Sequence, residues 1–190
     1  MTRSIQRISL VFLLLFASAA VLADEYDDTI KVFQNAGASG TFFKKSYGYA
    51  VFPTIGKGGV GIGGAHGKGR VYAQGKYVGD TSMTQLTAGF QLGGQAFSQI
   101  IFFEDKRSFD EFTSGNFEFG AQATAVAITA GASAAAGSTG SSAGASGGQK
   151  DASTKGASYH KGMATFTVAK GGLMYEATLG GQKFKYEPKK

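Results

Sequence analysis

Apolar positions along this 190-residue chain run first at a helical period and then mostly in alternation, interrupted by a stretch with neither. In residues 24–34, Tyr26, Ile30 and Phe33 recur at i, i+4 and i+7, which puts one apolar stripe on a helix. Asp24, Glu25, Asp27 and Asp28 occupy its first turn, where the helix dipole favours negative charge. Gly37 and Gly40 stop the pattern, and residues 41–52 read as a turn entering a strand, with Tyr47, Tyr49 and Val51 alternating. From there the period is two. Val60 and Ile62 alternate with glycines, and 70–78 is a strand broken at Gly75, where Gly75-Lys76 supplies a turn. Residues 84–103 form a long strand-like run: Leu86, Ala88, Phe90 and Leu92 alternate, Gly93-Gly94 allows a bend, and Ile100-Ile101-Phe102-Phe103 suits a buried strand. A short helix is expected over 105–112 with Phe109 and Phe112 facing inward, and 117–129 alternates again.

Residues 131–148 contain only Gly, Ala, Ser and Thr, with a Lys/Ser/Thr tract continuing to about residue 158. With no large side chain to bury, this segment is expected to be a flexible loop inside the domain. The last part reads as a meander, 163–169, 173–179 and 182–186, with turns at Gly171-Gly172 and Gly180-Gly181. These elements predict a mainly β fold, an antiparallel β-barrel or sandwich with an N-terminal helix and a short helix near 105–112. A closed or nearly closed sheet leaves long strands without exposed edges.

The first residues change the picture of what the mature chain is. Arg3 and Arg7 precede an apolar core, residues 8–16, and the small residues before Asp24 offer cleavage after Ala23. That apolar run is short of the roughly 20 residues a spanning helix needs, so the expectation is a signal peptide over 1–23 and one exported domain over 24–190, periplasmic or secreted. The chain has no Cys, so disulfides, thiolate catalysis and thiolate metal sites are absent. Removing Arg3 and Arg7 from the 19 Lys and Arg leaves 17 against 13 Asp and Glu, too mild an excess to signal nucleic-acid binding. The charge is uneven, though. Residues 44–76 hold Lys44, Lys45, Lys57, Lys68, Arg70 and Lys76 with no acidic residue, a local field that attracts anionic surfaces.

Residues 50–72, AVFPTIGKGGVGIGGAHGKGRVY, are dense in glycine, which in strands marks bulges or close backbone approach. This block resembles the SYLF domain family, whose members carry an AVFP-type strand, a lysine and a GxGxGG run. Residues 87–94 (TAGFQLGG), 102–112 and 170–175 (KGGLMY) extend the resemblance in the expected order, from about Phe33 to Tyr186. It implies lipid binding, phosphoinositides included, and no catalytic activity. Actin binding, known for some fungal members, is not expected of an exported bacterial-type chain. Lys57 falls at the family's lysine after the AVFP strand.

Other chemistry is weakly supported. Gly59-Val60-Gly61-Ile62-Gly63-Gly64 matches G-x-G-x-x-G, but a dinucleotide site needs a helix and a βαβ unit here, and another strand follows instead. His66 and His160 are the only histidines, too few for a zinc site without thiolates. Glu104/Asp105 and Asp110/Glu111 are neighbours flanking Lys106 and Arg107, which suits a solvated helix start better than paired acid and base across a cleft. No enzyme, cofactor or metal site is expected. The candidate binding residues are therefore cationic: Lys57 by resemblance, and Lys68, Arg70, Lys44 and Lys45 by charge. Their expected partner is an anionic lipid or membrane surface, not nucleic acid. The alternatives are a structural or protein-interaction module of the envelope and, third, a carrier of an apolar ligand within a barrel.

Overall fold

A computed structural model describes residues 25–60, 62–88, 94–121, 123, 125–128, 158–170 and 179–190. The expected signal peptide, nearly all of the Gly/Ala/Ser tract, the expected turn at Gly171-Gly172 and the run 173–178 lie outside the described residues.

The N-terminal stripe forms the helix it predicts, α1, over residues 25–35. Phe33 is buried, and Tyr26 and Ile30 pack with it against the sheet. The chain does not stop at Gly37. After a bend at Ala36 it continues as one short turn, α2 (Gly37–Gly40), and a 3-10 turn (Thr41–Lys44). The buried Ser39 hydroxyl donates to Phe33 O at 2.6 Å and holds this bend. Then come β1 (Gly48–Val60), β2 (Ile62–Ala73), β3 (Lys76–Ala88) and β4 (Gln95–Phe103). A short helix, α3 (Lys106–Phe112), follows, then β5 (Phe117–Glu118), β6 (Val126–Ile128), β7 (Met163–Lys170) and β8 (Gln182–Pro188). All eight strands belong to one mainly antiparallel sheet in the order β5-β8-β3-β2-β1-β4-β7-β6. The β6–β7 pair is parallel.

The expected continuous strand over 117–129 is two short strands, one at each edge of this order. Residues 119–125 therefore pass from one edge to the other. Seven residues span at most about 25 Å, so the sheet must curl to bring its edges together. Two contacts between β4 or β1 and β8 demonstrate the curl. Gln99 and Gln182, both buried, exchange amide hydrogen bonds at 3.0 and 3.2 Å, although three strands lie between β4 and β8. The Phe52 and Phe184 rings meet at 5.7 Å. β7 and β8 are not direct neighbours in this order, and nearly all of the middle run of the expected meander, 173–179, lies outside the described residues.

Each face of the curl has its own core. The concave face gathers Phe52, Ile55, Val71, Ile101, Phe103 and Phe184, closed off by Phe112 of α3. α3 starts with a capping box: the Ser108 N–H donates to Asp105 Oδ1 at 2.8 Å, and the Asp105 N–H donates to Ser108 Oγ at 3.3 Å. The convex face gathers Val51, Ile100, Phe102 and Phe166 under α1 and the 3-10 turn. With both faces covered, β4 is apolar on successive positions, which is why 100–103 reads as an unbroken run.

α1 is tied down at its start by a polar cluster. The Thr54 hydroxyl donates to Glu25 Oε1 at 2.7 Å, and the Lys170 ammonium donates to both Glu25 Oε1 (3.2 Å) and Thr54 Oγ1 (2.6 Å). The Thr54 hydrogen bond, reinforced by Lys170, holds the Glu25 carboxyl below its ordinary value against the opposing effect of partial burial. A carboxyl with a lowered folded-state pKa stabilises fully above the ordinary range near 4.3, and the contribution is lost as pH falls through the lowered value. Glu25→Gln is expected to cost about 0.2–1 kcal/mol at neutral pH, the range for a half-exposed pair. The gap between the two proteins should close in acid. Urea melts of both across a pH series check this; a gap that persists below the carboxylate range refutes it.

Candidate functional site

A row of aromatic residues crosses the convex face one residue in from the sheet end at Gly48, Ala73 and Lys76. Phe102, Tyr49, Tyr72 and Tyr77 are direct register partners on β4, β1, β2 and β3. Tyr49 and Tyr72 stack at 5.0 Å with their planes 17° apart, and Tyr72 meets Tyr77 at 6.0 Å. The β2–β3 turn that ends this row is Gln74-Gly75, both at positive φ (50° and 78°), with Ala73 opposite Lys76. That is the two-residue hairpin geometry whose twist suits paired strands, one residue earlier than the Gly75-Lys76 expected.

Cations lie against the rings. The Arg70 guanidinium sits 4.2 Å from the Tyr26 ring centre and 5.4 Å from that of Tyr77, and the Lys189 ammonium lies 5.2 Å from Tyr77. Burial pushes the Tyr49 hydroxyl up to about 12, with Tyr72 and Asp27 adding to it. Lost hydration and a hydrogen bond with Asp80 raise Tyr77 to about 12. Burial also raises Tyr26 and Tyr72, partly opposed by Arg70. The row therefore stays neutral at physiological pH and offers polar tips on apolar rings.

The five cations singled out in the sequence do not converge. Lys68 and Arg70 share the convex face, as two-residue spacing on a strand requires. Lys68 is exposed, whereas Arg70 is half-buried between Tyr26 and Tyr77 and fastens α1 to the sheet. Lys57 follows Ile55 by two and pairs with Ala65, so it lies on the concave side, across the sheet from Lys68. Lys44 and Lys45 are exposed where the 3-10 turn enters β1, at the opposite end from Lys57. The bulge between Val51 and Thr54 keeps Phe52 and Ile55 both on the concave side, and with them Lys57. Alternation broken at Pro53 could have signalled it.

Three of the four paired carboxylates have structural partners. Asp105 caps α3, Asp110 accepts from Lys106 at 2.6 Å, and Glu111 lies 3.4 Å from Arg107. Among the described residues no group of three His, Asp or Glu side chains is placed to hold a metal ion. An open hollow of about 670 Å³ borders Glu118 to Ala121 and Gly180-Gly181, beside β5 and the start of β8.

A family model described as Ysc84, Las17-binding protein actin regulator, matches residues 84–188, more than half of the chain and all of β4 to β8. The chain belongs to the Ysc84 family. This is the SYLF family to which the four sequence blocks point. The glycine-rich β1–β2 hairpin precedes the matched stretch, while the KGGLMY block lies within it. A curated relative, Beta cell expansion factor A of Aeromonas veronii, is 29% identical over 157 residues. The match takes in 82% of this Ysc84-family chain and 51% of that relative, so the chain spans about half the relative's length.

Proposed function

We propose that this chain is a non-enzymatic module that binds anionic phospholipid surfaces at the cell envelope, after export and removal of residues 1–23. The observation that carries the reading is a set of exposed lysines, among them Lys44, Lys45 and Lys76, with no ion-pair partner among the described residues. Each cation held near an anionic membrane contributes about 1 kcal/mol, whereas a lysine engaged by a carboxylate has less to offer. Family membership supports the same reading.

Co-sedimentation of the purified protein with phosphatidylcholine vesicles, with and without phosphatidylglycerol, tests it. Binding is expected to the anionic vesicles and to weaken as salt rises from about 0.1 M to 1 M, where the screening length falls from about 10 Å to 3 Å. Equal binding to both vesicle types, or to neither, overturns it. Lipid that stays with the protein at high salt favours the carrier reading. That reading has little room on the concave side, where Phe52, Phe103, Phe112 and Phe184 pack together.

A second reading is a protein-interaction module. The family description names a binder of another protein, Las17. An exported chain would meet no cytoskeletal actin, so the partner would be an envelope protein. Binding to neither vesicle type, with reproducible self-association or capture of one envelope protein, moves this reading to first place.

A further inference from the structure

The fold collects lysines that the sequence scatters. Lys44 and Lys45 precede β1, Lys76 opens β3, Lys161 lies just before β7, and Lys189 and Lys190 follow β8. The strands are antiparallel, so the starts of β1, β3 and β7 and the finish of β8 all lie at one end of the sheet. Two contacts close the set together. The Lys189 N–H donates to Val78 O at 2.9 Å, and Ser46 and Tyr159 share a hydroxyl hydrogen bond at 2.8 Å. All six lysines are exposed, and none has an ion-pair partner among the described residues.

The acidic side chains at this end are mostly engaged. Asp105, Asp110 and Glu111 pair within α3, and Asp80 lies in register with Arg70. Asp27, Glu104 and Glu187 remain, against six exposed ammonium groups, of which that of Lys189 also lies over the Tyr77 ring. The aromatic row of Tyr49, Tyr72 and Tyr77 lies one residue inside the same end. Lysines around rings with polar tips match the headgroup level of a bilayer, where tyrosine gathers and cations meet phosphate. Among the described residues, the other end offers Leu86, 85% exposed, with Lys57 and Lys68 set back on opposite faces. One exposed leucine is ordinary on a protein surface.

We propose that the sheet end carrying Lys44, Lys45, Lys76, Lys161, Lys189 and Lys190 is the face that lies on an anionic phospholipid bilayer, with the tyrosine row at the headgroup level. This rests on the membrane-binding reading above and assigns its surface. The chain has no tryptophan, so a single introduced indole reports its own surroundings. Lys76 and Leu86 are ten residues apart on β3, about 33 Å, so only one of the two ends can touch a flat bilayer in a given pose.

Two measurements test the assignment on phosphatidylglycerol vesicles. First, Lys44→Gln/Lys45→Gln/Lys76→Gln/Lys190→Gln should lower vesicle affinity on the order of a hundredfold or more at low salt. Lys57→Gln/Lys68→Gln should change it by less than about tenfold. Thermal melts equal to the parent's are expected for both. Second, Tyr77→Trp emission should shift to the blue on vesicle addition, while Leu86→Trp emission stays in place. Parental affinity in the quadruple variant, or a blue shift confined to Leu86→Trp, overturns the assignment and leaves membrane binding standing. A parent that binds no vesicle, or that binds only soluble polyanions such as RNA or heparin, overturns both.

Discussion

Phe102→Ala is expected to destabilise the protein by about 3–5 kcal/mol, the range for removing a buried phenylalanine from a packed site. Phe102 is fully buried at the centre of the convex core. Its ring meets Phe43 at 4.9 Å, Phe42 at 5.5 Å, Phe166 at 5.9 Å and Tyr49 at 6.1 Å. Phe42 and Phe43 belong to the 3-10 turn, so Phe102 is also what the N-terminal segment rests on. The residual cavity cannot collapse easily, because its walls are a β-ladder and other rings. For a chain of this size the loss corresponds to a fall in Tm of about 6–20 °C. Urea and thermal melts measure it, with the half-exposed Val32→Ala as a control that should stay within about 0.5 kcal/mol. A Phe102→Ala protein that melts with the parent would mean that the N-terminal segment does not pack on the sheet as described.

Gly69→Ala is expected to cost about 1–3 kcal/mol for one added methyl group, the range for overpacking a core. Gly69 lies under the Phe52 ring at the β1–β2 bulge. A Cβ there would fall 2.6 Å from Phe52 Cδ1 and 2.8 Å from Val51 O. Neither neighbour can retreat freely: Phe52 is held against Phe184 across the curl, and Val51 O is backbone. Gly56→Ala and Gly58→Ala are the contrast, because a Cβ at either meets nothing within 4 Å. Both should lie within about 0.5 kcal/mol of the parent. The combination Gly69→Ala/Phe52→Leu should cost less than the sum of the single changes, since the two share one contact. Equal losses at positions 56, 58 and 69 would mean that glycine is needed there for chain flexibility alone and not for room.

Local rules carried much of this fold. The period-3.6 stripe of Tyr26, Ile30 and Phe33 became α1, the Phe109 and Phe112 spacing fell on a short helix, and alternation marked the strands, with Gly180-Gly181 at a turn. These features depend on neighbours within a few residues, which one chain displays in order. The glycines of 56–69 were recognisable as a place of close approach, but not which of them is indispensable. That is decided by Phe52 and Ile55 arriving from the adjacent strand, and by a bulge that keeps both on the concave side.

Charge was the feature that sequence distance misrepresented most. Residues 44–76 look like one basic patch because they are contiguous. Folding sends Lys57 to the concave side, half-buries Arg70 between two tyrosines and leaves Lys44 and Lys45 at the far end from Lys57. The same antiparallel order draws Lys161, Lys189 and Lys190 to Lys76, more than eighty residues away. The sequence by itself determined the element types, the two-faced apolar runs and the family, because helix caps, side-chain periods and motifs are local. Strand order, the curl clasped by Gln99 and Gln182, and the grouping of surface cations were decided only in the tertiary structure. They depend on which distant strands find each other, and pairing energies are nearly alike for many orders until packing on both faces selects one.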